Sequence, residues 1–162
     1  MKHLVLLLLA LCTSAVCAQG KPESSPKSEC ERLMNSALPL AEQMLVKHGE
    51  FFPYGQALTS DGKVVDVGAY DGRENSPSLD LIRLLKQEFA QGGRSGKYRA
   101  TALVYDVRVT LPSSGTKSDA IAVSLNHRDN FSVVVFFAYS IKDGKYQPGE
   151  VFAQQGVNDV FK

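Results

Sequence analysis

Apolar residues recur at steps of three and four from Cys30 onward. Cys30, Leu33, Met34, Ala37, Leu38, Ala41, Met44, Leu45 and His48 fall on one stripe. That spacing predicts an amphipathic helix. Ser28, with Glu31 three residues later, reads as its capping box, and Gly49 as its stop. Pro39 removes one backbone donor, so a kink or a split into two helices is expected there. A second stripe, Leu81, Ile82, Leu85 and Phe89, follows Ser76-Pro77 and ends at Gly92-Gly93. Ser at a cap and Pro in the first turn suit a helix start.

Elsewhere the period drops to two. Phe51 to Leu58 and Lys63 to Tyr70 read as strands joined by Thr59-Ser60-Asp61-Gly62. Asp-Gly is a strong hairpin signal, because glycine takes positive φ without steric cost. Four more strands follow: Tyr98 to Leu111, Lys117 to Asn126, Phe131 to Ile141 and Lys145 to Ala153, with turn residues between them. The order α-β-β-α-β-β-β-β predicts one α+β domain over residues 28–162. Its two helices, both in the N-terminal half, are expected on one face of a mainly antiparallel sheet.

Alternation then sorts the strand residues by face. Leu103, Tyr105, Val107, Val109 and Leu111 form one bulky set. Ile121, Val123 and Leu125 form another, and Phe131, Val133, Val135, Phe137, Tyr139 and Ile141 a third. Bulk assigns all three to the side under the helices. The remaining face carries Ala100, Ala102, Val104, Ala120, Ala122, Val134, Phe136 and Ala138, with Asp106, Arg108, Ser124, Asn126 and Ser132 toward one end. A small-residue apolar face of this size is unusual for water contact and reads as a binding surface. It could meet a second copy or another protein. It could be covered by the Phe51–Tyr54 strand or the C-terminal tail, or it could line a small-molecule pocket. Asp106 and Arg108 share a face and can pair with each other or with a neighbour, most simply as a surface ion pair.

The N-terminus changes the picture of where the chain acts. Met1-Lys2-His3 precedes an apolar run from Leu4 to Leu11, then Cys12-Thr13-Ser14-Ala15-Val16-Cys17-Ala18. This is the pattern of a secretory signal peptide over residues 1–18, with Val16 and Ala18 before the cleavage point. The run is too short for a membrane span, which takes about 20 apolar residues. Residues 19–27 read as a polar, disordered tether. Cleavage removes Cys12 and Cys17, so Cys30 has no internal disulfide partner, and its helix-face position predicts burial. A secreted or periplasmic location follows.

The chain has 162 residues, is 44% hydrophobic and 22% charged, and carries a net charge of +1. These values fit a globular core and argue against a nucleic-acid binder. Gly92-Gly93-Arg94-Ser95-Gly96-Lys97 mimics a phosphate loop, but Gln91 and Tyr98 stand where the motif needs Gly and Ser or Thr. Two histidines beyond His3 and one cysteine at no standard spacing predict no metal site. Asp61, Asp71 and Asp143 each precede glycine as turn residues, without a calcium-loop spacing. No nucleophile elbow is present, so no catalytic residue and no cofactor are expected.

The densest aromatic cluster is Phe51-Phe52-Pro53-Tyr54-Gly55, where alternation turns one Phe inward and the other outward. Several segments together resemble a family of small secreted bacterial α+β domains of unknown function. They are Glu50 to Gly55, the hairpin from Asp61-Gly62 to Asp71-Gly72, Tyr105 to Val109, Lys117 to Ile121, His127-Arg128-Asp129 and Gly149 to Ala153. The resemblance implies domain limits and no activity. The expectation is an exported soluble binding protein, acting on a protein partner or as a homodimer. Phe51, Tyr54, Ala102, Asp106, Arg108, Ser124, Asn126, Val134 and Phe136 are its candidate contact residues. The alternative is a periplasmic small-molecule binder or enzyme, with Asp106, Arg108, Ser124 and Asn126 orienting a ligand over the same face.

Overall fold

The computed structural model describes residues 24–162; the expected signal peptide and residues 19–23 of the tether lie outside them. Helix α1 spans Pro26–His48, β1 Tyr54–Thr59, β2 Val64–Val67 and α2 Ser78–Arg94. Four long strands complete the chain: β3 Tyr98–Thr110, β4 Lys117–His127, β5 Phe131–Lys142 and β6 Lys145–Gln155. The fold is α+β, with the expected element order. All strands pair antiparallel in one sheet of order β2-β1-β3-β4-β5-β6.

Ser25, not Ser28, caps α1: its hydroxyl accepts the backbone N–H of Ser28 at 3.1 Å. Pro26 then occupies the first turn, where a missing donor costs nothing. Pro26 and Lys27, expected in the tether, are helical. Pro39 interrupts nothing. It lies on the solvent side of a continuous helix. Gly49 ends the helix in the left-handed conformation, donating to the Leu45 carbonyl at 2.9 Å. In α2 the expected cap is absent. Ser76 binds the Asp71 carboxylate instead, and the helix runs through Gly92-Gly93 to Arg94.

The two helices lie on opposite faces of the sheet, which corrects the expectation of a shared face. Cys30, Leu33, Ala37, Ala41 and Leu45 of α1 pack on Leu58, Ala100, Ala102, Val104, Ile121, Val123 and Leu125. Leu85 and Phe89 of α2 pack on the other side, against Ala57, Val67, Tyr98 and Leu103, with Val160 of the C-terminal tail. Strand β3 is sandwiched between them, so both of its faces are buried over their first half. Its small residues lie under α1, because Ala37 and Ala41 bring that helix close to Ala100 and Ala102.

The register makes the division explicit. Ala102, Leu125 and Val133 align on the α1 side, as do Val104, Val123 and Val135. Tyr105, Ala122 and Phe136 align on the α2 side, as do Leu103, Ser124 and Val134. The bulky residues of β3 thus share a face with the small residues of β4. Each strand's alternation is legible alone, but its phase relative to the next strand is set by turn geometry. Assigning faces by bulk joined sets that the register separates.

Candidate interaction surface

Three arrangements could carry chemistry, and the first is a buried polar cluster. Glu29, in the first turn of α1, is only 5% exposed. Its Oε1 accepts from Ser24 Oγ at 2.6 Å and pairs with Arg99 Nη2 at 2.6 Å, while Oε2 meets His127 Nε2 at 3.0 Å. Burial pushes the Glu29 carboxyl up, but the hydrogen bonds from Ser24 and His127 and the charge of Arg99 hold it below the ordinary value. His127 Nδ1 accepts the Asp129 backbone N–H at 3.0 Å, so the neutral ring carries its proton on Nε2 and donates to Glu29. Both ring nitrogens are engaged, which leaves no free base for catalysis. The cluster fastens the start of α1 to the ends of β3 and β4. Nearby, Cys30 is 1% exposed. Burial, then the Glu29 and Glu31 charges, push its thiol up to about 12, which suits packing and not a nucleophile.

The second arrangement is the sheet beyond α2. That helix crosses β1 and β3, and on the same side Val134, Phe136 and Phe152 of β5 and β6 stay partly exposed. Phe136 and Phe152 stack with ring centroids 5.0 Å apart. Ser124, Asn126, Val134 and Phe136 do share this face, as expected. Asn126 is buried and accepts from Ser132 Oγ at 3.0 Å. The other expected residues leave the group. Ala102 is fully buried under α1. Asp106 and Arg108 lie on the α1 side of the sheet, where Arg108 pairs with Asp119 at 3.1 Å and Asp106 accepts from Tyr139 Oη at 3.0 Å. Phe51 and Tyr54 pack edge to face, 6.0 Å apart, against the α1 core, and Tyr54 Oη donates to the Ala37 carbonyl at 2.8 Å. These two are core residues and not a recognition patch.

The third arrangement is one that the sequence reasoning missed. Phe52 is 53% exposed and Tyr70 77% exposed. Both line a cleft of about 170 Å3 with Pro53, Ala69, Arg73, Glu74, Ser76 and Leu81. Ala69 and Tyr70 also line a second, larger opening of about 440 Å3 between β2 and α2, with Val67, Leu84, Glu88 and Tyr98 among its walls. The loop between them is locked by charge. Asp71 accepts from Arg73 Nε at 2.9 Å and from the Arg73 backbone N–H at 3.1 Å. Arg73 reaches on to Asp80 at 2.8 Å, and Arg83 holds Asp80 at 3.0 Å. Hydrogen bonds from Arg73 and Ser76 hold the Asp71 carboxyl well below the usual carboxylate range. Tyr70 thus stands exposed on a loop that is ordered in advance, beside the exposed Phe52 of the α1–β1 connection. Alternation had shown that one of Phe51 and Phe52 must face out; it could not show that Tyr70 would join it across the hairpin.

No family model matches this chain, and no curated protein or solved structure does either. Among the described residues, no group of three His, Cys, Asp or Glu could hold a metal ion, and no helix is long and apolar enough to cross a membrane.

Proposed function

We propose that this protein is an exported binding module that recognises a protein partner through the Phe52–Tyr70 clefts. The observation that carries the reading is the exposure of Phe52 and Tyr70 on either side of a cleft whose loop is fixed by the Asp71–Arg73–Asp80 network. Aromatic anchors dominate binding energy at interfaces, and a loop already ordered loses little entropy on binding. Export rests on the N-terminal pattern of residues 1–18. The test is native affinity capture from the exported fraction, with the double variant Phe52→Ser, Tyr70→Ser as control. A specific partner lost in the variant, at an unchanged melting temperature, supports the reading. A partner retained at full strength by the variant overturns it.

A second reading places the contact on the sheet beyond α2, favoured by the stacked Phe136–Phe152 pair on strands that no helix covers on that side. A second copy is its simplest occupant. There, Phe136→Glu abolishes association while Tyr70→Ser leaves it intact.

A further inference from the structure

Strand β2 ends the sheet, and its outer flank pairs with no other strand among the described residues. The hairpin geometry settles which backbone groups it leaves free. Thr59 N–H donates to the Lys63 carbonyl at 2.9 Å, so Lys63 and, by alternation, Val65 and Val67 point their backbone groups toward β1. Val64 and Asp66 therefore present their N–H and C=O groups outward. Immediately beside this edge lies the opening of about 440 Å3, whose walls mix Val67, Tyr70, Leu84 and Tyr98 with Asp66, Glu88 and Lys97.

Side-chain direction adds a charge rule. Val65 and Val67 face the α2 side, where the opening is, while Val64 and Asp66 face the α1 side. Asp66 Oδ1 accepts from Gln56 Nε2 at 2.8 Å, but among the described residues no cation lies within salt-bridge distance of the Asp66 carboxylate. Lys97, the base at the opening, is occupied: it lies 3.9 Å from Glu88 and 4.8 Å from the Tyr98 ring centroid.

We infer that the partner adds an extended segment to the free edge of β2, with a basic side chain opposite Asp66 and, on either side of it, apolar side chains opposite Val65 and Val67. A strand added to a sheet edge gains main-chain hydrogen bonds and is selected by alternate side chains. Opposite charges directly across a strand pair are favourable, and like charges are not. This inference rests on the cleft reading proposed above and adds the partner's conformation and charge pattern to it.

The probe is a short peptide alternating valine and lysine, with a valine–glutamate peptide as the control. Binding is followed by amide hydrogen exchange. The outward amides of Val64 and Asp66 exchange freely in the protein alone and slow about tenfold or more when the lysine peptide is bound. Asp66→Lys weakens the peptide about tenfold, a loss of one order in affinity. Val64→Pro removes an outward donor without touching the β1 ladder and also abolishes the protection. Equal binding of the two peptides, or binding without protection of Val64 and Asp66, overturns the inference. If Asp66→Lys and Val64→Pro leave capture of the natural partner unchanged while Phe52→Ser, Tyr70→Ser abolishes it, strand addition fails and the cleft reading stands. If the aromatic variant also leaves capture unchanged, both fail.

Discussion

At the scale of single residues, the decisive group is Glu29, and nothing local in the sequence marks it. It reads as one more acidic side chain in a first helical turn, where negative charge suits the dipole. Its partners, Arg99 and His127, lie 70 and 98 positions away, and only the packing of α1 across the ends of β3 and β4 brings them together. His127 likewise reads as a turn residue, and in the structure it is the buried last residue of β4, 3% exposed. Cys30 shows the opposite case: the helical stripe alone placed it in the core, and there it is. Glu29→Gln keeps the shape but removes the charge that compensates Arg99. The expected cost is about 3 kcal/mol at neutral pH, measured by urea unfolding. The sign of the pH dependence follows from the depressed carboxyl. Glu29 ionises below its ordinary value of 4.5 when folded, so its stabilisation is full above that value and disappears as pH falls through the folded one. The gap between parent and variant therefore narrows in acid. A gap that is constant down to full acid unfolding contradicts the assignment.

At the scale of elements, existence was legible and ends were not. Both helices and all the strands follow from periods of 3.6 and 2, because burial on one face enforces them. Boundaries depended on competing hydrogen bonds: Ser25 outcompeted Ser28 as a cap, and Ser76 was drawn to Asp71. Gly92-Gly93 read as a helix stop, yet the helix passes through because Gly92 serves packing. A Cβ on Gly92 would lie 2.1 Å from the Tyr98 ring, so this turn of α2 touches the start of β3 as closely as a backbone can. Propensity lost to contact there. Gly92→Ala accordingly destabilises, although alanine is the better helix former by about 1 kcal/mol. The expected loss is about 2 kcal/mol, from displacing a ring that is 4% exposed. Thermal unfolding of the variant checks it, and a raised melting temperature would mean that α2 can move off the strand freely.

At the scale of the molecule, the candidate surface was half legible. Alternation found Ser124, Val134 and Phe136 together, because they lie on adjacent, directly paired strands. It misplaced Ala102, Asp106 and Arg108, because β3 is buried from both sides and bulk cannot then say which face a helix takes. The Phe52–Tyr70 cleft was invisible for a different reason: it forms between two loops and the start of α2, where no period runs. With one helix on each side, the sheet is roofed unevenly, and α2 packs on the β2-β1-β3 half. Two phenylalanines on that same side compare the roofed and unroofed halves directly. Phe89 belongs to α2 and is 1% exposed, pressed onto Gly55 and the β1–β3 surface. Phe136 stands partly exposed on β5, between its stacked neighbour Phe152 on β6 and the buried Ala122 on β4. Truncating a fully buried phenylalanine leaves a cavity and costs about 3–5 kcal/mol. Truncating a partly exposed one loses less area and leaves no enclosed void, so Phe136→Ala should cost under about 2 kcal/mol. Urea unfolding of the two variants side by side measures the difference. Equal losses would mean that the β5–β6 half is core in solution, covered by a segment or a second copy that stays bound, and the picture of a half-open sheet would fall with it.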